Sequence, residues 1–339
     1  MPPDLRVSVG RIELKNPVLC GAGEWTMTEE ALRAALDAGA AAVVAKSANE
    51  SDAAKRQLGA AEAVVLDEHW RPVANGRAGR SSSLFNRSGL VGERFDRWLE
   101  TLAAADGYAR ERDAYVIASL IPADLDELVR MARAVEEAGL RWLELNVGAA
   151  HGEEAAAGAI VLASEQEQVA DIVAQVRDAI AIPLTVKLSG QGDVLAAARA
   201  AYEAGADSLC LAGRPLAFLP DPETRRPVLG TFGAIGGAWA LPLTLRWIAK
   251  ARREIDASVP LVATGGVRDG LDVARALLAG ASAVQLGTAV WTDGPAALAG
   301  VVEGLGRYLD TQGAAACDLI GEAADAVMTY EEAALRRSE

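Results

Sequence analysis

Residues 262–290 read VATGGVRDGLDVARALLAGASAVQLGTAV. An apolar run stops at Gly265-Gly266, an amphipathic pattern follows and closes in Ala-Gly, and a second apolar run stops at Gly287-Thr288. Runs apolar on both faces belong to parallel strands covered by helices. A helix that closes in Ala-Gly uses the glycine as a left-handed C-cap. The stretch is therefore one strand-helix-strand unit, with glycines at the carboxyl end of each strand.

Working outward, the same Ala-Gly-then-strand pattern recurs in DAGAAAVVAK (37–46), EAGLRWLELN (137–146) and EAGADSLCLAG (203–213), placing cap glycines at 39, 139, 205 and 280. Further apolar runs at Pro17 to Cys20, Ala114 to Ser119, Pro183 to Leu188 and Val259 to Thr264 complete eight strands, each followed by a helical pattern or a long loop. Eight such units predict an α/β fold, a (β/α)8 TIM barrel, in preference to an open doubly wound sheet. All of residues 1–339 are expected to form one barrel domain, with long loops after strands two (Ser47 to about Gly92) and six (Gly213 to about Ala238).

The bulk numbers agree with a globular protein with ample core: 51% hydrophobic, 24% charged and 33 glycines in 339 residues. A formal net charge of −14 with scattered arginines argues against a nucleic-acid or anionic-membrane surface. The opening MPPDLRVSVG lacks a basic segment leading into an apolar one, and no apolar run is long enough to span a bilayer, so a cytoplasmic protein is expected. Cys20, Cys210 and Cys317 are too far apart for a cluster or knuckle, so no metal site is expected.

In a barrel, chemistry collects at the carboxyl ends of the strands. Here those ends carry Gly21-Ala22-Gly23-Glu24-Trp25, Lys46-Ser47, Ser119, Asn146, Lys187, Gly213-Arg214, Gly265-Gly266 and Gly287-Thr288. Glycines ending strands seven and eight leave backbone N–H groups uncovered, the usual barrel seat for a phosphate; tight βα turns alone would also use them. Lysines at two strand ends are costly to desolvate unless something anionic or electron-rich meets them. A flavin with its phosphate over strands seven and eight meets both conditions; a Schiff base on Lys46 or Lys187 meets the second. Asn86, in RSSSLFNRSGLVGE, lies in the long loop after strand two and reads either as a ligand contact or as a turn residue.

Taken in order, NPVLCGAG (16–23), VVAKSAN (43–49), LFNRSGL (84–90), VIASL (116–120), LELN (143–146), IPLTVKLS (182–189), GAIGGAWALPLTLR (233–246), VATGGV (262–267) and AVQLGTAV (283–290) resemble the FMN-dependent dihydroorotate dehydrogenases and the pyrimidine domain of dihydropyrimidine dehydrogenase. The resemblance spans about Val18 to Val290. It implies FMN across the strand ends, Ala22 and Gly23 beneath the ring, Lys187 at its N1/O2 edge, and Lys46 and Ser47 near the ring and substrate. It implies that Gly236 and Gly237 approach the ribityl chain, that Gly265, Gly266, Gly287 and Thr288 hold the phosphate, and that Asn86 and Asn146 bind substrate.

Departures from the family fall at the proton carrier. Dihydroorotate dehydrogenases end strand four in runs like NLSCPN or NVSSPN, whose cysteine or serine is the base; here Asn146-Val147-Gly148-Ala149-Ala150-His151 puts Ala149 at that position. The dihydropyrimidine branch ends the motif in His-Gly, as His151-Gly152 does, and takes its acid from a later cysteine, where this chain has Leu162, with Ser164 two residues on. A substrate-binding asparagine after strand six is replaced by Gly213, followed by Arg214. His69 and His151 are the only histidines, and His151 is the better placed to move a proton. Glu153, Glu154 and Ser164 are weaker candidates. Arg214 can pair with a substrate carboxylate or with Asp221 or Glu223 of its own loop. Trp25 and Trp239 can wall a pocket or simply pack, and Cys20 is expected inside the barrel.

The expected function is an FMN-dependent oxidoreductase, transferring hydride at flavin N5 to or from a small unsaturated or carbonyl-conjugated substrate other than dihydroorotate. His151 would move the proton, and Lys46, Asn86 and Asn146 would orient the substrate. The alternatives are a true dihydroorotate or dihydropyrimidine dehydrogenase with an unusual acid, a Schiff-base lyase, and a barrel without catalysis that serves as a binding module. The electron donor or acceptor is not visible in the sequence, and a homodimer is expected by analogy with soluble relatives.

Overall fold

The computed structural model describes residues 2–49, 51, 54–56, 61–73, 78–148, 166–190 and 192–336. Eight parallel strands close into a barrel in sequence order: β1 (Val18–Cys20), β2 (Ala42–Val44), β3 (Tyr115–Leu120), β4 (Leu143–Asn146), β5 (Leu184–Ser189), β6 (Ser208–Gly213), β7 (Leu261–Thr264) and β8 (Ala283–Leu286). Closure comes from β8 pairing with β1, with Val284 opposite Val18 and Leu286 opposite Cys20. No strand edge is left open, and an open doubly wound sheet is ruled out.

Each strand is followed by a helix: α1 (Glu29–Asp37), α2 (Phe95–Arg110), α3 (Leu125–Glu137), α4 (Gln166–Ala179), α5 (Val194–Glu203), α6 (Leu241–Glu254), α7 (Gly270–Leu278), and after β8 the pair α8 (Thr288–Asp293) and α9 (Ala296–Gln312). Local chemistry sets their ends. Thr28, Asp124, Asp193 and Asp269 each accept a hydrogen bond from the amide three residues on, meeting N–H groups that the first turn leaves without partners. Glycines 39, 139, 205 and 280 take φ of +92°, +79°, +103° and +108°, the left-handed turn that returns the chain from helix to strand. The buried faces of these helices, Leu32 and Leu36 of α1 or Leu128, Met131 and Val135 of α3, cover the outside of the barrel.

Both ends of the barrel carry additions. An antiparallel hairpin, Val7–Val9 with Ile12–Leu14, lies at the end where the strands begin; a Cβ on its turn residue Gly10 would stand 3.3 Å from the Asp207 carbonyl, just before β6. At the other end the two long loops are more ordered than the sequence implied. They pair into one antiparallel sheet in the order 216–217, 233–237, 83–87, 62–66, with Asn86 opposite Ala234 and Leu84 opposite Gly236. Leu66, Phe85, Leu229 and Ile235 form a small apolar cluster of this sheet. The sheet stands beside the barrel mouth and fixes what would otherwise be flexible walls.

Candidate active site

A cavity opens at the carboxyl ends of the strands, with about 1190 Å³ of atom-free space including its mouth. Residues from all eight strand ends or their following loops line it, among them Ala22, Lys46, Ser47, Asn146, Lys187, Arg214, Gly236, Gly237, Gly265, Gly266, Gly287 and Thr288. Most of the expected site thus converges on one space.

Its floor is a polar network inside the barrel. Lys187 Nζ donates to Gln285 Oε1 at 2.8 Å and approaches Glu144 Oε1 at 3.5 Å, while Gln285 Nε2 donates to Glu144 Oε2 at 2.6 Å. Ser119 Oγ lies 3.4 Å from Glu144 Oε1 and shares a 2.9 Å hydrogen bond with Ser47 Oγ. Glu144 is wholly buried, and a lysine, an amide and a hydroxyl converge on its carboxyl oxygens. Sequence reading passed over Glu144 and Gln285; both occupy inward positions of their strands, where a buried ionisable residue in an apolar run was the available signal.

Lys46, 4% exposed, is the second lysine. Its Nζ donates to Glu24 Oε1 at 2.9 Å and to Ser88 Oγ at 2.7 Å. The same Glu24 oxygen accepts from Ser88 Oγ at 2.8 Å and the Gly89 amide at 3.1 Å. Burial by itself would raise the Glu24 carboxyl, but the charge and hydrogen bond of Lys46, with the Ser88 hydroxyl and Arg214, bring it down to about 2. Burial presses the Lys46 ammonium below its ordinary value, and Glu24 opposes that. Glu24 is a residue the sequence analysis did not single out, and it commits Lys46 to an ion pair. An ammonium held as donor to a carboxylate is poorly disposed to act as a Schiff-base nucleophile.

Asn86 and Arg214 are coupled. Asn86 is 1% exposed within the accessory sheet and does not itself line the cavity; its Oδ1 accepts a hydrogen bond from a terminal nitrogen of Arg214, which does. Asp221 instead accepts from Thr224 Oγ1 and from the Glu223 amide, both at 2.9 Å, and so is turned away from Arg214. Asn146 lines the cavity, and its side chain makes no hydrogen bond among the described residues.

Two turns fit a phosphate. Gly265 and Gly266 have φ of +117° and +89°, and the amides of Gly265, Gly266 and Gly287 donate to no protein acceptor among the described residues. A Cβ at Gly266 would come within 2.2 Å of the Leu241 amide nitrogen, so the position is closed to any side chain. Beside Gly287 stands Trp25, whose indole donates to the Gly21 carbonyl at 2.8 Å and meets Trp291 edge-on at 5.9 Å between ring centres. The ring occupies the space a Cβ on Gly23 would need, so Trp25 rather than Gly23 faces the cavity. Trp239 donates to Ser83 Oγ at 3.1 Å and is 39% exposed. Unpaired amides at the strand ends, together with a lysine on the floor, suit a flavin mononucleotide: Gly265, Gly266 and Gly287 for its phosphate, Lys187 for its ring.

Cys20 is buried inside, its thiol pushed up to about 12 by burial. His69 is exposed on the turn after Leu66 and does not line the cavity. His151, with Ala149, Glu153, Glu154, Leu162 and Ser164, lies outside the described residues. Among the described residues no group of histidine, cysteine and carboxylate side chains could hold a metal, and no helix is long and apolar enough to cross a membrane.

The family model described as dihydroorotate dehydrogenase matches residues 4–309. A relative from Methanothermobacter thermautotrophicus, named dihydroorotate dehydrogenase B (NAD(+)), catalytic subunit, is 30% identical over 95% of this chain and 99% of its own. A relative from Aeropyrum pernix, whose name places it in the fumarate-linked A group of the same enzymes, is 32% identical over 92% of this chain and 94% of its own. Another catalytic subunit of the NAD(+) group, from Thermoplasma acidophilum, is 27% identical over 91% and 95%.

Proposed function

The chain belongs to the dihydroorotate dehydrogenase family of flavin oxidoreductases, and on that footing we propose that it binds FMN and oxidises or reduces a small unsaturated or carbonyl-conjugated substrate other than dihydroorotate. Bound FMN supplies hydride exchange at N5. The observation that carries the cofactor is the pairing of uncovered Gly265, Gly266 and Gly287 amides with Lys187, held at the cavity floor by Gln285 at 2.8 Å. Lys187 lends positive charge to the N1/O2 edge, Ser47 and Ala22 border the ring, and Gly236 and Gly237 leave room for the ribityl chain. Asn146 hydrogen-bonds the substrate, Asn86 holds Arg214, and Lys46 acts as half of a neutral pair with Glu24. His151 moves the proton.

The departure from dihydroorotate rests on Ala149, which has no proton to exchange, and on Gly213 in place of an asparagine. A second reading, dihydroorotate oxidation with His151 as the acid-base group, is favoured by the relatives' names. Those names divide between fumarate and NAD(+), so the electron partner is inferred only as a soluble small molecule or a companion subunit. Purified protein should be yellow, and acid extraction should release FMN; a colourless chain that FMN does not reconstitute sinks the proposal. Anaerobic mixing with dihydroorotate decides between the two readings: unbleached flavin supports the first, rapid bleaching the second.

A further inference from the structure

Four cations line the cavity: Lys46, Lys187, Arg214 and Arg268. Three have a carboxylate partner, Lys46 with Glu24 at 2.9 Å, Lys187 with Glu144 at 3.5 Å and Arg268 with Asp293 at 3.0 Å. Arg214 has none among the described residues. Its one hydrogen bond there goes to a neutral amide oxygen, and the loop carboxylate nearest in sequence, Asp221, is engaged by Thr224 and Glu223.

The guanidinium is also held in place. Its stem runs over Gly236, where a Cβ would come within 3.3 Å of Arg214 Cδ. Asn86 pins one terminal nitrogen from a sheet position that is itself buried and in register with Ala234. One nitrogen fixed by a rigid neighbour leaves the other donors of a planar fork for a ligand. The one carboxylate that acts on Arg214, Glu24, makes its direct ion pair with Lys46 instead, so a carboxylate brought by the ligand gives the guanidinium its own partner while matching the fork in plane. Lys46 is a poor competitor for the same anion, because Glu24 puts a negative charge beside it.

We propose that Arg214 is the specificity-determining anchor for a carboxylate on the substrate, so that this chain selects anionic conjugated acids through the β6 end while Lys46 is neutralised by Glu24. The proposal rests on the oxidoreductase reading above and narrows its substrate class.

Two matched probe pairs test it: orotate with its neutral carboxamide, and 1-cyclohexene-1-carboxylate with its carboxamide. Each is titrated into the FMN-loaded protein, followed by the change in flavin absorbance and independently by calorimetry. The expected result is carboxylate binding about 10- to 100-fold tighter than carboxamide binding, the worth of one charge-assisted pair. Arg214→Gln should abolish that preference and Arg214→Lys should keep part of it, both with full FMN content and a native melting transition. Equal affinity for acid and amide in the wild-type protein overturns the proposal, with no variant needed. So does a preference that survives in Arg214→Gln, or an Arg214→Gln protein that sheds FMN while its preference persists, which would put the guanidinium on the cofactor. A wild-type chain that takes up no FMN but prefers the carboxylates by calorimetry sinks the flavin reading and keeps the anchor.

Discussion

Glu24 Oε1 and Lys46 Nζ stand 2.9 Å apart at the cavity wall, with Ser88 bonded to both. Against the upward push of burial, Lys46 and Ser88 hold the Glu24 carboxyl down at about 2 in the folded chain, against its ordinary 4.5. A carboxyl whose folded value is depressed adds stability that is complete above its unfolded value and is lost as pH falls toward the folded one. This pair should therefore contribute fully above about pH 4.5 and fade toward about pH 2. Glu24→Gln should lose that acid limb and, by stranding a buried ammonium, should be less stable at neutral pH by about 3 kcal/mol. Denaturant unfolding across this range is the check; an acid limb unchanged in the variant removes Glu24 as its source.

A second expectation concerns Glu144, which lies 3.5 Å from Lys187, the residue proposed for the cofactor's ring edge, and accepts from Gln285 at 2.6 Å. Glu144→Gln deletes a buried negative charge near the place where the reduced ring would carry its own. Reduction should become easier by about 1–2 kcal/mol, a rise of some tens of millivolts for a two-electron couple. Dye-equilibration titration of the bound flavin reads this directly. A midpoint that stays put or falls would show that Gln285 and Lys187 screen the carboxylate from the ring.

The barrel was legible because eight apolar runs, four of them entered through a glycine of predictable hand, leave few other ways to satisfy the backbone; Gly39, Gly139, Gly205 and Gly280 behave as that pattern required. The lysines and the phosphate-end glycines were legible for a related reason, since strand termini in a barrel point to one face. What stayed hidden depended on contacts across sequence. The accessory sheet joins residues 83–87 to 233–237, a register no local periodicity encodes. Glu24 was passed over because its value comes from Lys46 and Ser88, 22 and 64 residues away. The bond from Arg214 to Asn86 likewise spans 128 residues.

Gly266 gives a sharper test of the phosphate turn than any charge. Its φ is +89°, and a Cβ there would sit 2.2 Å from the Leu241 backbone nitrogen, which cannot yield as a side chain could. Gly266→Ala should cost several kcal/mol and leave the protein deficient in FMN. Gly39 is the control: its φ is +92°, but nothing lies within 4 Å of the added methyl. Gly39→Ala should cost only about 1–2 kcal/mol and retain the cofactor. Equal FMN content in the two variants would separate the β7 turn from cofactor binding.

The proposed proton carrier, His151, can be tested directly. No carboxylic acid, thiol, phenol or imidazole lines the cavity among the described residues. Glu24 accepts three hydrogen bonds and stays ionised down to about 2, and the Cys20 thiol is pushed up to about 12. An imidazole ionises near neutrality, and His151, five residues past the end of β4, is the candidate the sequence supplies. His151→Asn should slow turnover by about 10²-fold and flatten an inflection at about pH 6.5, with FMN content unchanged. Solvent deuterium should then slow the wild-type reaction more than the variant's residual one, because only the former moves a proton from the imidazole in the rate-limiting step. A variant that keeps the wild-type pH profile would mean that water serves as the proton carrier and that the position vacated at Ala149 was never refilled.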